Sequence, residues 1–131
     1  ESLAALLTAH GLAYVWAGEA LGGRPADASC YHGGEVKIGK VDYAQIAQRP
    51  WFQRGLHTLM ATAAGQRAAL LCSEEDPHRC HRHKLIAHAL RDQGVRVLHI
   101  RHSGELEESD TLDCAAPTTG CQQLLLRGFP A

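Results

Sequence analysis

Apolar positions along this chain fall at two spacings, and the changes between them divide it into short elements. Leu3, Leu6 and Leu7 recur at helical spacing between Ser2 and His10, which predicts an amphipathic helix ended by Gly11. Leu12-Ala13-Tyr14-Val15-Trp16-Ala17 is bounded by glycines and rich in β-formers, so a mostly buried strand is expected to follow. From Gly18 to Lys40 there are six glycines and no sustained period, the pattern of a long loop, and long loops inside compact domains tend to carry function. Asp42 is placed to cap a short helix through Gln48. Pro50 suits the first turn of another, whose stripe of Trp51, Leu56, Leu59 and Met60 runs on to Gly65.

Ala68-Ala69-Leu70-Leu71-Cys72 is a continuous apolar run, suited to a strand covered on both faces at the centre of a sheet. Asp76-Pro77 supplies an N-cap and first-position pair for a helix to Gln93, ended by Gly94. Val95 to Ile100 predicts the next strand. Beyond it, Gly104–Asp110 is acidic and loop-like, and Gln122–Leu126 suits a last strand or a helical turn. This alternation predicts an α/β fold, a single layered domain over residues 1–131 with a largely parallel sheet flanked by helices.

Composition narrows the setting without changing that fold. A chain of 131 residues, 45% hydrophobic and 21% charged, is large enough to bury a core without disulfide or metal staples. It contains no apolar run of the roughly 20 residues that span a bilayer. A net charge of −1 removes whole-chain attraction to nucleic acid, so recognition of any anion must be local. Five cysteines at irregular spacing, with no secretory signal, predict reduced thiols in the cytoplasm. Nine histidines are unusual, and His78, His81, His83 and His88 fall within eleven residues.

Those histidines lie in the segment with the densest chemistry, Leu71-Cys72-Ser73-Glu74-Glu75-Asp76-Pro77-His78-Arg79-Cys80-His81-Arg82. An apolar run there gives way to reactive groups just before a helix, and ligands in α/β domains bind at such an edge. Cys72 ends the run where a nucleophile would be presented, although the carboxylates after it disfavour a thiolate and a buried, inert cysteine is the plainer reading. On the phase set by Leu85, Ile86, Ala89 and Leu90, Arg82 points towards the sheet. Its guanidinium could grip a carboxylate or phosphate there, or form an ion pair with Glu74 or Glu75. His81 lies beside that arc, with an ordinary pKa of about 6.5 suited to proton exchange with Glu74. Cys80 points away from the core unless the helix starts later than Pro77, in which case the helix start would favour its thiolate. Zinc is the weaker idea, since Cys72, Cys80, His81 and His83 lack paired C-x-x-C spacing, and no metal is assigned.

Glu19-Ala20-Leu21-Gly22-Gly23-Arg24-Pro25 should also lie at a strand's C-terminal end. Gly22 and Gly23 would let backbone approach a ligand held with Glu19 and Arg24, or simply make a turn. Taken together, Tyr14 to Arg24, Asp42-Tyr43 through Trp51-Phe52-Gln53-Arg54-Gly55-Leu56, and Leu71-Cys72-x-Glu74 with Asp76-Pro77 and Cys80-His81-Arg82 resemble the bacterial domain-of-unknown-function family 488. The resemblance covers about residues 1–101 and implies an α/β fold with the cysteine, glutamate and Cys-His-Arg positions in one pocket. Members usually open with a strand ending in a Gly-His-Ser-like motif and a second ending in Asp-Val-Arg. Neither is present, which implies that the N-terminal strand-helix-strand segment is missing.

The expectation is an enzyme acting on a small anionic or nucleotide-like substrate. Cys72, Glu74, Cys80, His81 and Arg82 would be catalytic, and Glu19, Gly22, Gly23 and Arg24 would bind substrate. The competing reading is a non-catalytic module for nucleic acid or another anion. No cofactor is named by the sequence, and the oligomeric state is left open.

Overall fold

The computed structural model describes residues 2–115, with side chains to Leu112; the run Gln122–Leu126 lies outside them. Helix α1 (Leu3–Ala9) starts where the Ser2 hydroxyl accepts from the Ala5 amide, as expected of a serine N-cap. It buries none of its residues, and Leu3 and Leu6 stay 44% and 46% exposed.

The core forms elsewhere, where α3 (Tyr43–Ala47) and α4 (Pro50–Gly65) meet the helical segment after Cys80. The Asp42 carboxylate accepts from the Gln45 amide and so caps α3, while Pro50 occupies the first turn of α4. Ile46, Phe52, Leu56, Leu85 and Ile86 are at most 2% exposed, and each full burial contributes about 1.5–3 kcal/mol. The stretch expected to be a long loop contributes too, because a helical turn, α2 (Gly18–Leu21), sets Leu21 in this core and a 3-10 turn over Ala28–Cys30 adds Cys30 and Tyr31. Gly55 makes that possible. A methyl group there would come within 2.6 Å of the Ala20 Cβ, so glycine lets α2 close onto α4.

The sheet corrects the sequence reading. Among the described residues it has two antiparallel strands, β1 (Leu98–Ile100) and β2 (Leu106–Glu108), with Leu98 opposite Glu108 and Ile100 opposite Leu106. A layered domain around a largely parallel sheet is therefore not what forms. The runs Leu12–Ala17 and Ala68–Cys72 join no ladder, and Val15, Trp16 and Leu71 are 76%, 70% and 69% exposed. β-Propensity favours an extended backbone, but a strand also needs a neighbour to take up its N–H and C=O groups. Without one, the two runs stay outside any sheet. Val95–Ile100 yields a strand only in its second half.

The helix expected from Pro77 to Gln93 is also broken. Asp76 accepts from the His78 amide, yet the turn it starts is 3-10 and ends at Arg79. Cys80 is extended, at φ −103° and ψ 138°. Its carbonyl then accepts from the His83 and Lys84 amides, so the helical run restarts there. A π-helical turn spans Arg82–Ala87, and α5 (His88–Arg91) completes it before Gly94 turns the chain at φ 78°. No helix among the described residues is long and apolar enough to cross a membrane.

Candidate functional site

The break at Cys80 assembles the site. Because the chain is extended there and helical immediately after, Cys80, His81 and Arg82 do not follow the phase of one helix. Cys80 turns inward, at 1% exposure. Its sulfur accepts from the Arg82 amide at 3.4 Å and from Arg82 Nε at 3.1 Å. The rest of the guanidinium reaches back across the preceding loop, where Nη1 donates to the Leu70 carbonyl at 3.4 Å and Nη2 to the Glu74 carbonyl. Arg82 thus ties down residues on both sides of Cys72, using the fixed fork that distinguishes arginine from lysine.

Cys72 is held between those two anchors and is partly exposed. Its sulfur lies 3.8 Å from His81 Nδ1. Burial pushes its thiol pKa up, but the Glu74 amide, the Cys80 thiol, the Arg82 charge and Ser73 together outweigh burial, and the net direction is down. Glu74 therefore enters through its backbone, giving an amide to Cys72 and a carbonyl to Arg82. His81 is held below the ordinary histidine value by burial and then by the Arg82 charge. A neutral imidazole beside a thiol that ionises readily is an arrangement for moving a proton off sulfur.

The glycine-rich motif meets this cluster from the other side. A methyl group on Gly23 would stand 2.6 Å from His81 Cβ and Cγ, so only glycine allows the loop after α2 to lie against that ring. Tyr43, at the start of α3, faces the same space. Burial raises its pKa first, followed by the charge of Cys80 and Cys72, while Arg24 lowers it. The phenol thus feels the charge of both sulfurs and of the exposed Arg24 guanidinium. Arg24 and Glu19 also line an open groove of about 430 Å³ with Trp16, Pro25 and Trp51. A larger depression of about 700 Å³ follows the turn between β1 and β2, but it is lined by that hairpin alone and contains no thiol.

Among the described residues, Cys72, Cys80 and His81 form a cluster with metal-ligand chemistry, their donor atoms all within 4.8 Å of one another. The Arg82 guanidinium already donates to one of the two sulfurs, and a fixed cation there opposes a dication. A second cluster lies on the other side of the π-helical turn. His83, 3% exposed, places Nδ1 at 3.1 Å from His99 Nε2 and 3.3 Å from Ser109 Oγ, with the His78 and His88 rings packed edge-on.

The structure brings Cys72, Cys80, His81 and Arg82 together, sets Gly23 against His81 with Gly22 just before it, and engages Glu74 through its backbone. Glu19 and Arg24 line the adjoining groove. Sequence reasoning overlooked Tyr43 and His99. Tyr43 follows a capping Asp42, and a phenol in a helix's first turn, inside a motif otherwise explained by capping, was the available signal. His99 had a weaker one, as a polar interruption of an apolar strand.

A family model described as domain of unknown function DUF488 matches residues 1–90, a span that holds every residue of the thiol site. No curated protein and no solved structure matches the chain.

Proposed function

The chain belongs to the DUF488 family, whose function is unknown, and from that premise we propose a thiol-dependent enzyme acting on a small anionic or nucleotide-like substrate. Cys72 is the nucleophile in this reading, and the observation that carries it is the partly exposed sulfur 3.8 Å from His81 Nδ1. His81 accepts the thiol proton. Arg82 is a positioning residue, because its guanidinium is spent on the Cys80 sulfur and two carbonyls. Exposed Arg24 is then the cation that meets the anion, with Tyr43 as a donor beside it. The groove walled by Trp16 and Trp51 supports a nucleotide-like substrate, since indole faces stack on bases.

Alkylation of Cys72 by iodoacetamide, followed by peptide mass spectrometry across a pH series, tests the nucleophile. The expected rate profile turns over below the ordinary thiol value of about 8.5, and His81→Ala moves that inflection. Tryptophan fluorescence during titration with mononucleotides and inorganic phosphate tests the substrate class, and Arg24→Ala is expected to abolish any quenching. An ordinary thiol profile would sink the enzyme reading. Binding only to oligonucleotides, weakening steeply with salt, would support a nucleic-acid module instead.

A further inference from the structure

Cys80 has no task in a Cys72–His81 reaction, yet it sits against the nucleophile. Its sulfur lies within 4.8 Å of both the Cys72 sulfur and the His81 ring nitrogen. Solvent reaches the two sulfurs unequally, since Cys72 is partly exposed and Cys80 is 1% exposed. Cys30, the other free thiol among the described residues, is fully buried and lies outside this cluster. An outward thiol backed by an inward one is the arrangement of an attacking and a resolving cysteine.

We propose that Cys72 and Cys80 are an oxidisable pair, in which hydrogen peroxide oxidises Cys72 and Cys80 closes an intramolecular disulfide. This rests on the reading that Cys72 reacts as a thiolate. In the first step the Cys72 proton passes to His81, and the thiolate displaces hydroxide from peroxide. An S–O bond forms and the O–O bond breaks. The hydroxide takes the His81 proton and leaves as water, so Cys72 has become a sulfenic acid. In the second step Cys80 attacks the Cys72 sulfur, the S–S bond forms, the S–O bond breaks, and the departing hydroxide carries off the Cys80 proton as a second water. Two thiols and one peroxide thus give one disulfide and two waters.

The backbone around both sulfurs permits this closure. A disulfide needs the sulfurs about 2.05 Å apart, so each must move inward from its place in the reduced cluster. Cys72 lies in an irregular segment and Cys80 in an extended residue between two helical turns, so no regular hydrogen-bond ladder has to break. Closure would also draw the Cys80 sulfur from Arg82 Nε, 3.1 Å away in the reduced chain, and would consume the nucleophile. The oxidised chain is therefore inactive.

Peptide mapping of the full chain after treatment with equimolar hydrogen peroxide and blocking of remaining thiols tests the pair. The expected product is a Cys72–Cys80 cross-linked peptide, reversed by dithiothreitol, with Cys30 still reduced. Cys80→Ser should instead hold Cys72 as a sulfenic acid that dimedone traps. A Cys72 link to Cys114 or Cys121, or a native chain that runs to sulfinic acid as readily as Cys80→Ser, would overturn the pair. If Cys80→Ser does not fold, as judged by circular dichroism, mapping of the native chain alone decides. Parallel iodoacetamide labelling separates the two readings. Fast alkylation of Cys72 without a cross-link sinks only the pair, whereas an ordinary alkylation profile sinks the nucleophile itself.

Discussion

Arg82 and His83 are neighbours in one π-helical turn, but they serve clusters built on opposite principles. Arg82 organises a half-open site of sulfur and imidazole, where a fixed cation and backbone amides favour an ionised thiol. His83 organises a closed one, sharing a single ring nitrogen between the His99 imidazole and the Ser109 hydroxyl at 3% exposure. Both contain groups capable of acid-base chemistry. What separates them is the nucleophile: the first presents a partly exposed thiol, Cys72, while the second holds no thiol and, through its buried His83, pins the β1–β2 hairpin and the start of α6 (Ser109–Ala115) to the helical segment. A crowd of titratable residues is thus a candidate for covalent chemistry where a nucleophile stands among them.

The largest expected break in this comparison is Arg82→Ala. It removes one charge-assisted bond to sulfur and two to carbonyls, and since such bonds contribute about 1.5–3 kcal/mol each, a loss of about 3 kcal/mol is expected after partial replacement by water. The midpoint of urea unfolding should fall, and Cys72 alkylation should move up towards the pH of an ordinary thiol. Arg82→Lys should restore little, because a single ammonium cannot span sulfur and two carbonyls. His83→Ala should cost about 1–2 kcal/mol by removing the imidazole partner of His99 and one of the two partners of Ser109, which keeps Arg91, yet leave the alkylation profile of Cys72 in place. If His83→Ala moved that profile as far as Arg82→Ala does, the two clusters would be one.

The site was easier to find in the sequence than the sheet was, for a physical reason. Caps and breakers act locally, so Asp42, Pro50 and Gly65 locate α3 and α4 from the sequence alone. The abrupt change from Leu71 to Arg82 likewise picked out residues that the fold brings together, because it reflects chain chemistry rather than pairing. Strands depend on partners that the local sequence does not supply. Leu12–Ala17 and Ala68–Cys72 have the right residues and no neighbour, and they stay exposed. Arg82 was partly legible: its phase pointed it inward, but its targets are backbone carbonyls, which no side-chain pattern announces. The direction of Cys80 hung on where the helix starts, for a related reason. Asp76-Pro77 signals a helix start, yet it delivers one 3-10 turn, and the extended Cys80 that follows sets a new phase.

Gly23→Ala sharpens the comparison with a smaller effect. Its methyl would meet His81 at Cβ and Cγ, close to the backbone rather than at a flexible tip, so the ring or the loop must shift. The expected loss is about 1–2 kcal/mol, as for overpacking at a close contact. The more telling readout is His81 itself. Its ring should move away from the Cys72 sulfur, slowing alkylation at neutral pH while Cys72→Ser, which keeps the loop's shape, leaves stability nearly unchanged. A Gly23→Ala chain with native stability and native alkylation would show that the loop after α2 is no part of the site.

The smallest effect, and the one shared by both clusters, is the response to acid. Burial and then the Arg82 charge hold His81 below the ordinary value of about 6.5, and burial, His83 and Arg82 hold His99 below it. The unfolded chain therefore binds these protons at a higher pH than the folded chain does. Stability from the two groups is fully present above the ordinary value, falls as the pH drops below it, and levels off once the folded values are passed. Chemical unfolding between pH 7 and about 5 should show this decline, above the range where the depressed Asp27 carboxylate takes up its proton. Stability that held level or rose on acidification would contradict it. The variants divide the slope: His83→Ala relieves only His99, whereas Arg82→Ala relieves His99 and His81 together. His81→Ala removes that histidine's share of the slope and leaves His99 its own, which isolates the ring that faces Cys72.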